Sequence, residues 1–174
     1  AGFGVLFSAL VQAQIVADPG AAANQRATVL ATPNGTPLVN IQTPSASGVS
    51  RNTYRQFDVG APGAVLNNSR SNAQTQLGGW VQGNPWLARG EARVILNEVN
   101  GGNPSQLRGY VEVAGQRAEV IIANPAGIQV DGAGFINASR ATLTTGVPLV
   151  NGGSLEGFRV QRGTVSIEGR GLDA

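Results

Sequence analysis

Residues 124–146 read NPAGIQVDGAGFINASRATLTTG, and the architecture is decided there. Asn124-Pro125 opens the stretch as a rigid turn. Proline fixes φ and donates no hydrogen bond, and the asparagine side chain can bond its own downstream backbone. Gly127 permits a positive φ just before an aliphatic alternation, Ile128-Gln129-Val130, which runs into the Asp-Gly turn at 131–132. Ala141–Thr145 reads as a further strand. Strands this short, returning about every ten residues with no hairpin signal at each step, describe an all-β chain. They fit a sandwich, a barrel or a parallel β-helix.

The same grammar extends outward in both directions. Apolar and polar residues alternate at Val111–Val113, Phe158–Val160 and Val165–Ile167, each reading as a strand with one buried face. Leu38–Gln42, Tyr54–Val59 and Glu119–Ala123 are further strands. Glu91–Val99 (EARVILNEV) is the best helix candidate, although its β-branched residues and the flanking Gly90 and Gly101 suit a strand equally well. Turn pairs punctuate the whole chain, with Asn-Gly at 34–35, 100–101 and 151–152 and Asn-Pro at 84–85, 103–104 and 124–125.

Composition favours the β-helix among the three. The chain has 174 residues, enough for one domain with a real core, and only 13% of them are charged, about half the usual share. There are 25 glycines and 14 asparagines. Stacked coils place like positions above one another at about 4.8 Å, so aliphatics stack inward, asparagines can form ladders and like charges repel. A strict repeat of about 20–25 residues is nevertheless not visible.

Composition also excludes functions. Cys, His, Met and Lys are all absent, and all 12 basic residues are arginine. That removes disulfides, thiolate metal sites, the commonest general base and the Schiff-base amine. The ten acids are spread singly, with no pair at strand spacing, which argues against a polysaccharide-active enzyme on the same fold. No basic stripe with stacking aromatics marks a nucleic-acid groove, and the net charge is only +2. No catalytic residue, cofactor, metal or small-molecule substrate is expected. Residues 1–14 carry a short apolar run, Val5–Val11, followed by small and polar residues. They read as the remnant of a secretory signal peptide, with the domain proper at 15–174.

Taken together, the motifs resemble the two-partner secretion domain of the filamentous haemagglutinin family. Asn84-Pro85-Trp86-Leu87 resembles that family's Asn-Pro-Asn-Leu. Asn124-Pro125-Ala126-Gly127-Ile128 resembles its Asn-Pro-Asn-Gly-Ile, followed as in the family by Gly134-Phe135-Ile136-Asn137 and Leu143-Thr144-Thr145-Gly146. Further matches run in the family's order from Val39-Asn40-Ile41 through Gly48-Val49-Ser50 and Tyr54–Val59 to Leu66-Asn67-Asn68. The likeness covers about residues 29–170 and is strongest to the CdiA-type exoproteins of contact-dependent growth inhibition. Trp86 and Ala126 depart from it, each replacing an asparagine. Val130 and Ala133 stand where many relatives carry a cysteine pair.

The resemblance implies a right-handed parallel β-helix with an N-terminal β cap and extra-helical hairpins. It also implies a role as secretion signal of a large surface exoprotein, recognised by the POTRA domains of a TpsB-family outer-membrane transporter. A host-binding adhesin module is the alternative. The nine residues 84–87 and 124–128 are the candidate recognition site. They either touch the transporter or hold the corners of the fold, with Gly127 and Ile128 read as structural. Trp80 and Trp86 read as core or cap residues.

Overall fold

The computed structural model describes residues 14–173, so the leader reading lies outside the described residues except at Gln14. The chain starts with β1 (Ile15–Ala17) and β2 (Thr28–Ala31). A first coil follows, made of β3 (Pro37–Asn40), β4 (Val49–Phe57) and a bridge at Val59. The second coil begins with β5 (Ala64–Asn68), departs into the hairpin β6 (Ala73–Thr75) and β7 (Gly79–Val81), and resumes with β8 (Val94–Val99) and β9 (Ser105–Leu107). The third, uninterrupted coil is β10 (Tyr110–Gly115), β11 (Ala118–Ala123) and β12 (Ile128–Val130). The fourth runs through β13 (Ala133–Ile136) and β14 (Ala138–Thr144), then the hairpin β15 (Val147–Asn151) and β16 (Ser154–Arg159), and closes at β17 (Val165–Ile167). β18 (Leu172–Asp173) begins another turn.

Corresponding strands of successive coils pair in parallel. One sheet joins β4, β8, β11 and β14, a second joins β3, β5, β10, β13 and β18, and a third joins β9, β12 and β17. Each crossover passes through the other two sheets before returning, the arrangement of a parallel β-helix; such crossovers are right-handed in nearly all proteins. The Glu91–Val99 segment is strand from Val94 onward, because its β-branched residues stack on neighbouring rungs. β1 and β2 pair antiparallel with β4 and β3, β1 covering the Tyr54–Phe57 end of β4 and β2 the length of β3.

The interior is a stack of aliphatics. Val39, Leu66 and Val113 lie in register, as do Ala64, Val111 and Phe135, and almost all are fully buried. Burial of such side chains contributes about 1.5–3 kcal/mol each before conformational entropy is counted. Asparagines occupy inward positions too. Asn97 is completely buried, accepts from Tyr54 Oη at 3.0 Å and donates to Ile121 O, one coil on, at 3.0 Å. Buried amides are tolerable only when bonded, and among the described residues no buried side-chain nitrogen or oxygen lacks a partner.

Two sheets have apolar outer faces, and each is covered by a hairpin. β6–β7 lies over Leu38, Val65 and Ala114, while β15–β16 lies over Val49, Leu96 and Ile121. Glu112, only 4% exposed on the outer face of β10, secures the first hairpin. Its carboxylate accepts from the backbone N–H of Gln76 and of Leu77, both at 2.9 Å. Glu112→Ala is expected to lower the unfolding free energy by about 2–3 kcal/mol, since two buried charge-assisted bonds are lost, and Glu112→Gln by less. Urea titration reads this directly, and an alanine variant within ~0.5 kcal/mol of wild type would refute the anchoring role.

Two expectations need correction. Val165 and Ile167 form a strand, but they are 37% and 59% exposed, because β17 has a neighbour on one side only. Val160 lies beyond β16 and is 65% exposed, so Phe158–Val160 has no shared buried face.

Candidate functional site

Asn84 caps a single 3-10 turn, Pro85–Leu87, with φ −80° and ψ 116°. Proline suits the first position of such a turn, where an N–H would lack a partner. The Asn84 side-chain oxygen accepts from Trp86 N–H at 3.0 Å. Its amide donates in the other direction, to Ile41 O at 2.9 Å and Asn67 O at 3.0 Å, one acceptor in each of the first two coils. Leu87 then drops into the main core, fully buried. Pro85 and Trp86 remain on the outside.

Asn124 repeats this device at another corner. Its side-chain oxygen accepts from Ala126 N–H at 3.0 Å, and its amide donates to Asn103 O at 2.9 Å and Ser105 Oγ at 3.0 Å, both in the preceding coil. Gly127 adopts φ +121°, a conformation other residues rarely take, and its N–H returns to Asn124 O at 3.0 Å. Ile128 follows as a fully buried core residue. Pro125 and Ala126 are half-buried.

The two corners are built alike but are not brought together. Pro85 borders an uncharged groove lined by Leu30, Leu38, Trp80 and Val81. Asn124, Pro125 and Ala126 border a polar groove containing Asp18, Arg51, Glu98 and Arg162. In the second groove Arg51 Nε meets Glu98 Oε2 at 2.5 Å, with a further bond from Nη2 to Oε1 at 3.2 Å. The Asn100 amide and the Gly20 N–H hold the Asp18 carboxyl below its usual range, with Arg55 and Arg26 adding to the effect. Each acid there already has a partner, Arg51 for Glu98 and the Asn100 amide and Gly20 N–H for Asp18. Among the described residues no three acids gather in a metal-binding group.

The expectation for the tryptophans is corrected. Trp80 is 67% exposed because it projects from an extra-helical hairpin, and Trp86 is 43% exposed because its turn buries Leu87 on the opposite side. Asn137, matched in sequence only as the end of Gly134–Asn137, locks a corner without a proline. It sits at φ +61°, and its amide donates to Val113 O and Gly115 O at 2.8 and 3.0 Å. An asparagine closing a short aliphatic run was the available signal, since asparagine tolerates this backbone region better than most residues.

The sequence model of the TPS secretion domain matches residues 13–174. The chain belongs to that family. This TPS domain is 63% identical over 163 residues to a "Toxin CdiA" of Yersinia pestis, covering 94% of this chain and 5% of that protein. It is 56% identical over 165 residues to a "tRNA nuclease CdiA-2" of Burkholderia pseudomallei (strain 1026b), again covering 94% of this chain and 5% of that protein. The chain therefore spans about a twentieth of the length of these relatives. A crystal structure of a filamentous hemagglutinin secretion domain superposes with a TM-score of 0.83 at 44% identity, covering 92% of this chain and 51% of that one. The TPS domain is thus a β-helical secretion domain of the CdiA and filamentous haemagglutinin type.

Proposed function

We propose that residues 15–174 are a single address domain, preceded by the remnant of a signal peptide. It directs a long exoprotein through the periplasm to the bacterial outer surface, where that protein delivers a toxin or acts as an adhesin. The reader of the address is the POTRA region of a TpsB-family outer-membrane transporter. The domain performs no chemistry of its own and needs no cofactor or metal.

One observation carries the account of how reading works. Both motif asparagines spend both amide N–H groups and an oxygen acceptor inside the fold, each bonding a neighbouring coil. A transporter that reads these amides therefore meets them in the unfolded chain, where Asn84–Leu87 and Asn124–Ile128 are accessible segments. Beside these turns, alternating aliphatic segments such as Ile128–Val130 suit strand addition to a sheet edge. Lacking cysteine, the chain cannot be locked by disulfides in the oxidising periplasm. Folding then withdraws the same groups and ends recognition.

Trp86 separates reading from folding. Its ring is partly exposed and makes one hydrogen bond, from Nε1 to Thr28 Oγ1 at 3.2 Å. Trp86→Ala is expected to lower stability by about 1–2 kcal/mol, from one hydrogen bond and a half-buried ring. Export of a reporter exoprotein by its transporter should fall at least fivefold. Wild-type export of this variant would count against residues 84–87 as a reading segment.

A further inference from the structure

The hairpin β15–β16 leaves the solenoid from the fourth coil, yet its tip reaches the first. Ser45 Oγ and Ser47 Oγ, on the loop entering β4, donate to Gly153 O at 2.8 and 2.9 Å, across 108 and 106 residues of sequence. Between root and tip, Val150, Leu155 and Phe158 pack on Val49, Leu96 and Ile121. Those three come from β4, β8 and β11, one from each of the first three coils. The opposite face of the hairpin turns Val147 and Leu149 outward, 44% and 41% exposed. At the tip only glycine fits. Gly153 has φ +80°, and a Cβ there would stand 2.6 Å from Ser45 Cβ.

In a solenoid each coil touches its neighbours alone, so stability is a sum of local terms and the ends can open independently. This hairpin breaks that rule by joining the fourth coil directly to the first. A two-stranded hairpin is at best marginally stable by itself. Its docking face does not exist until β4, β8 and β11 stand side by side. We propose that β15–β16 is a closing strap: the coils stack first, and docking of the hairpin then couples them into one cooperative body. The strap is a property of the folded domain and does not depend on the transporter reading.

Native-state hydrogen exchange tests it. In the intact chain the amides of β4, β8 and β11 should share one protection level, set by global unfolding. Gly153→Val should dislodge the tip and lower protection of β4 at least tenfold relative to β11, while Val147→Ser, on the exposed face, leaves the shared level intact. Should Gly153→Val fail to fold, Leu155→Ala, which trims the docked face, is expected to give the same separation. Strands that stay equally protected in the folded strap variants would overturn the proposal.

Discussion

Asn124→Ala is expected to lower the unfolding free energy by about 3 kcal/mol, and Asn84→Ala by a similar amount. Each asparagine is almost completely inaccessible, at 1% and 2% exposure, and each makes three side-chain bonds. A net contribution near 1 kcal/mol per bond, added to the penalty for buried groups left without partners, gives this magnitude. Asn84→Asp should be worse than alanine, because its carboxylate would face the carbonyl oxygens of Ile41 and Asn67, which need donors. A loss below ~1 kcal/mol in urea unfolding would show that these corners do not hold the coils together.

The second large effect is an alkaline collapse. With no His, Cys or Lys, no side chain of this protein ordinarily titrates between the carboxylates and the tyrosines, and there are two tyrosines. Stability should therefore be flat from about pH 6 to 9. Burial pushes the Tyr54 hydroxyl far above its ordinary 10.0. A raised folded value means that Tyr54 contributes fully below pH 10, where the hydroxyl is neutral in both states. The contribution is lost as pH rises from 10 toward the folded value, because the unfolded phenol ionises and the folded one does not. The expected slope is about 1.4 kcal/mol per pH unit for Tyr54. Tyr110 adds to it, since the Asp173 carboxylate that accepts its hydroxyl raises it also, although at the surface. Tyr54→Phe should be less stable at pH 7 by about 1–1.5 kcal/mol, having lost the bond to Asn97, yet fall less steeply above pH 10. An unchanged alkaline slope in Tyr54→Phe would assign the collapse elsewhere.

Much of the fold was legible because strand alternation and turn chemistry are local. The repeat was hidden for a physical reason. Where the chain runs uninterrupted, rungs return after about two dozen residues, as in the Asn97 to Ile121 and Asn137 to Val113 bonds, which both span 24. The two hairpins interrupt the second and fourth coils, so no fixed period survives across the chain. Inside each hairpin the apolar residues serve an outer face, which is why Trp80 looked like a core residue and is exposed.

The candidate site was legible in part. Both Asn-Pro pairs read correctly as rigid turns, and Gly127 as a positive-φ position. Their sequence could not reveal that each amide reaches a neighbouring coil, because Ile41 lies 43 residues from Asn84 and Asn103 lies 21 from Asn124. The inward asparagines Asn52 and Asn97 escaped notice for a related reason. A polar residue amid strand alternation reads as solvent-facing unless its partner is known, and their acceptors in the next coil sit 44 and 24 residues away.

The decisive measurement is binding of this domain to the isolated POTRA region of its transporter in two states, one chain freshly diluted from urea and the other fully folded. Trapped before its corners close, the chain should bind, and affinity should drop at least a hundredfold once it has folded. Equal affinity in both states would mean that the buried asparagines are not what the transporter reads.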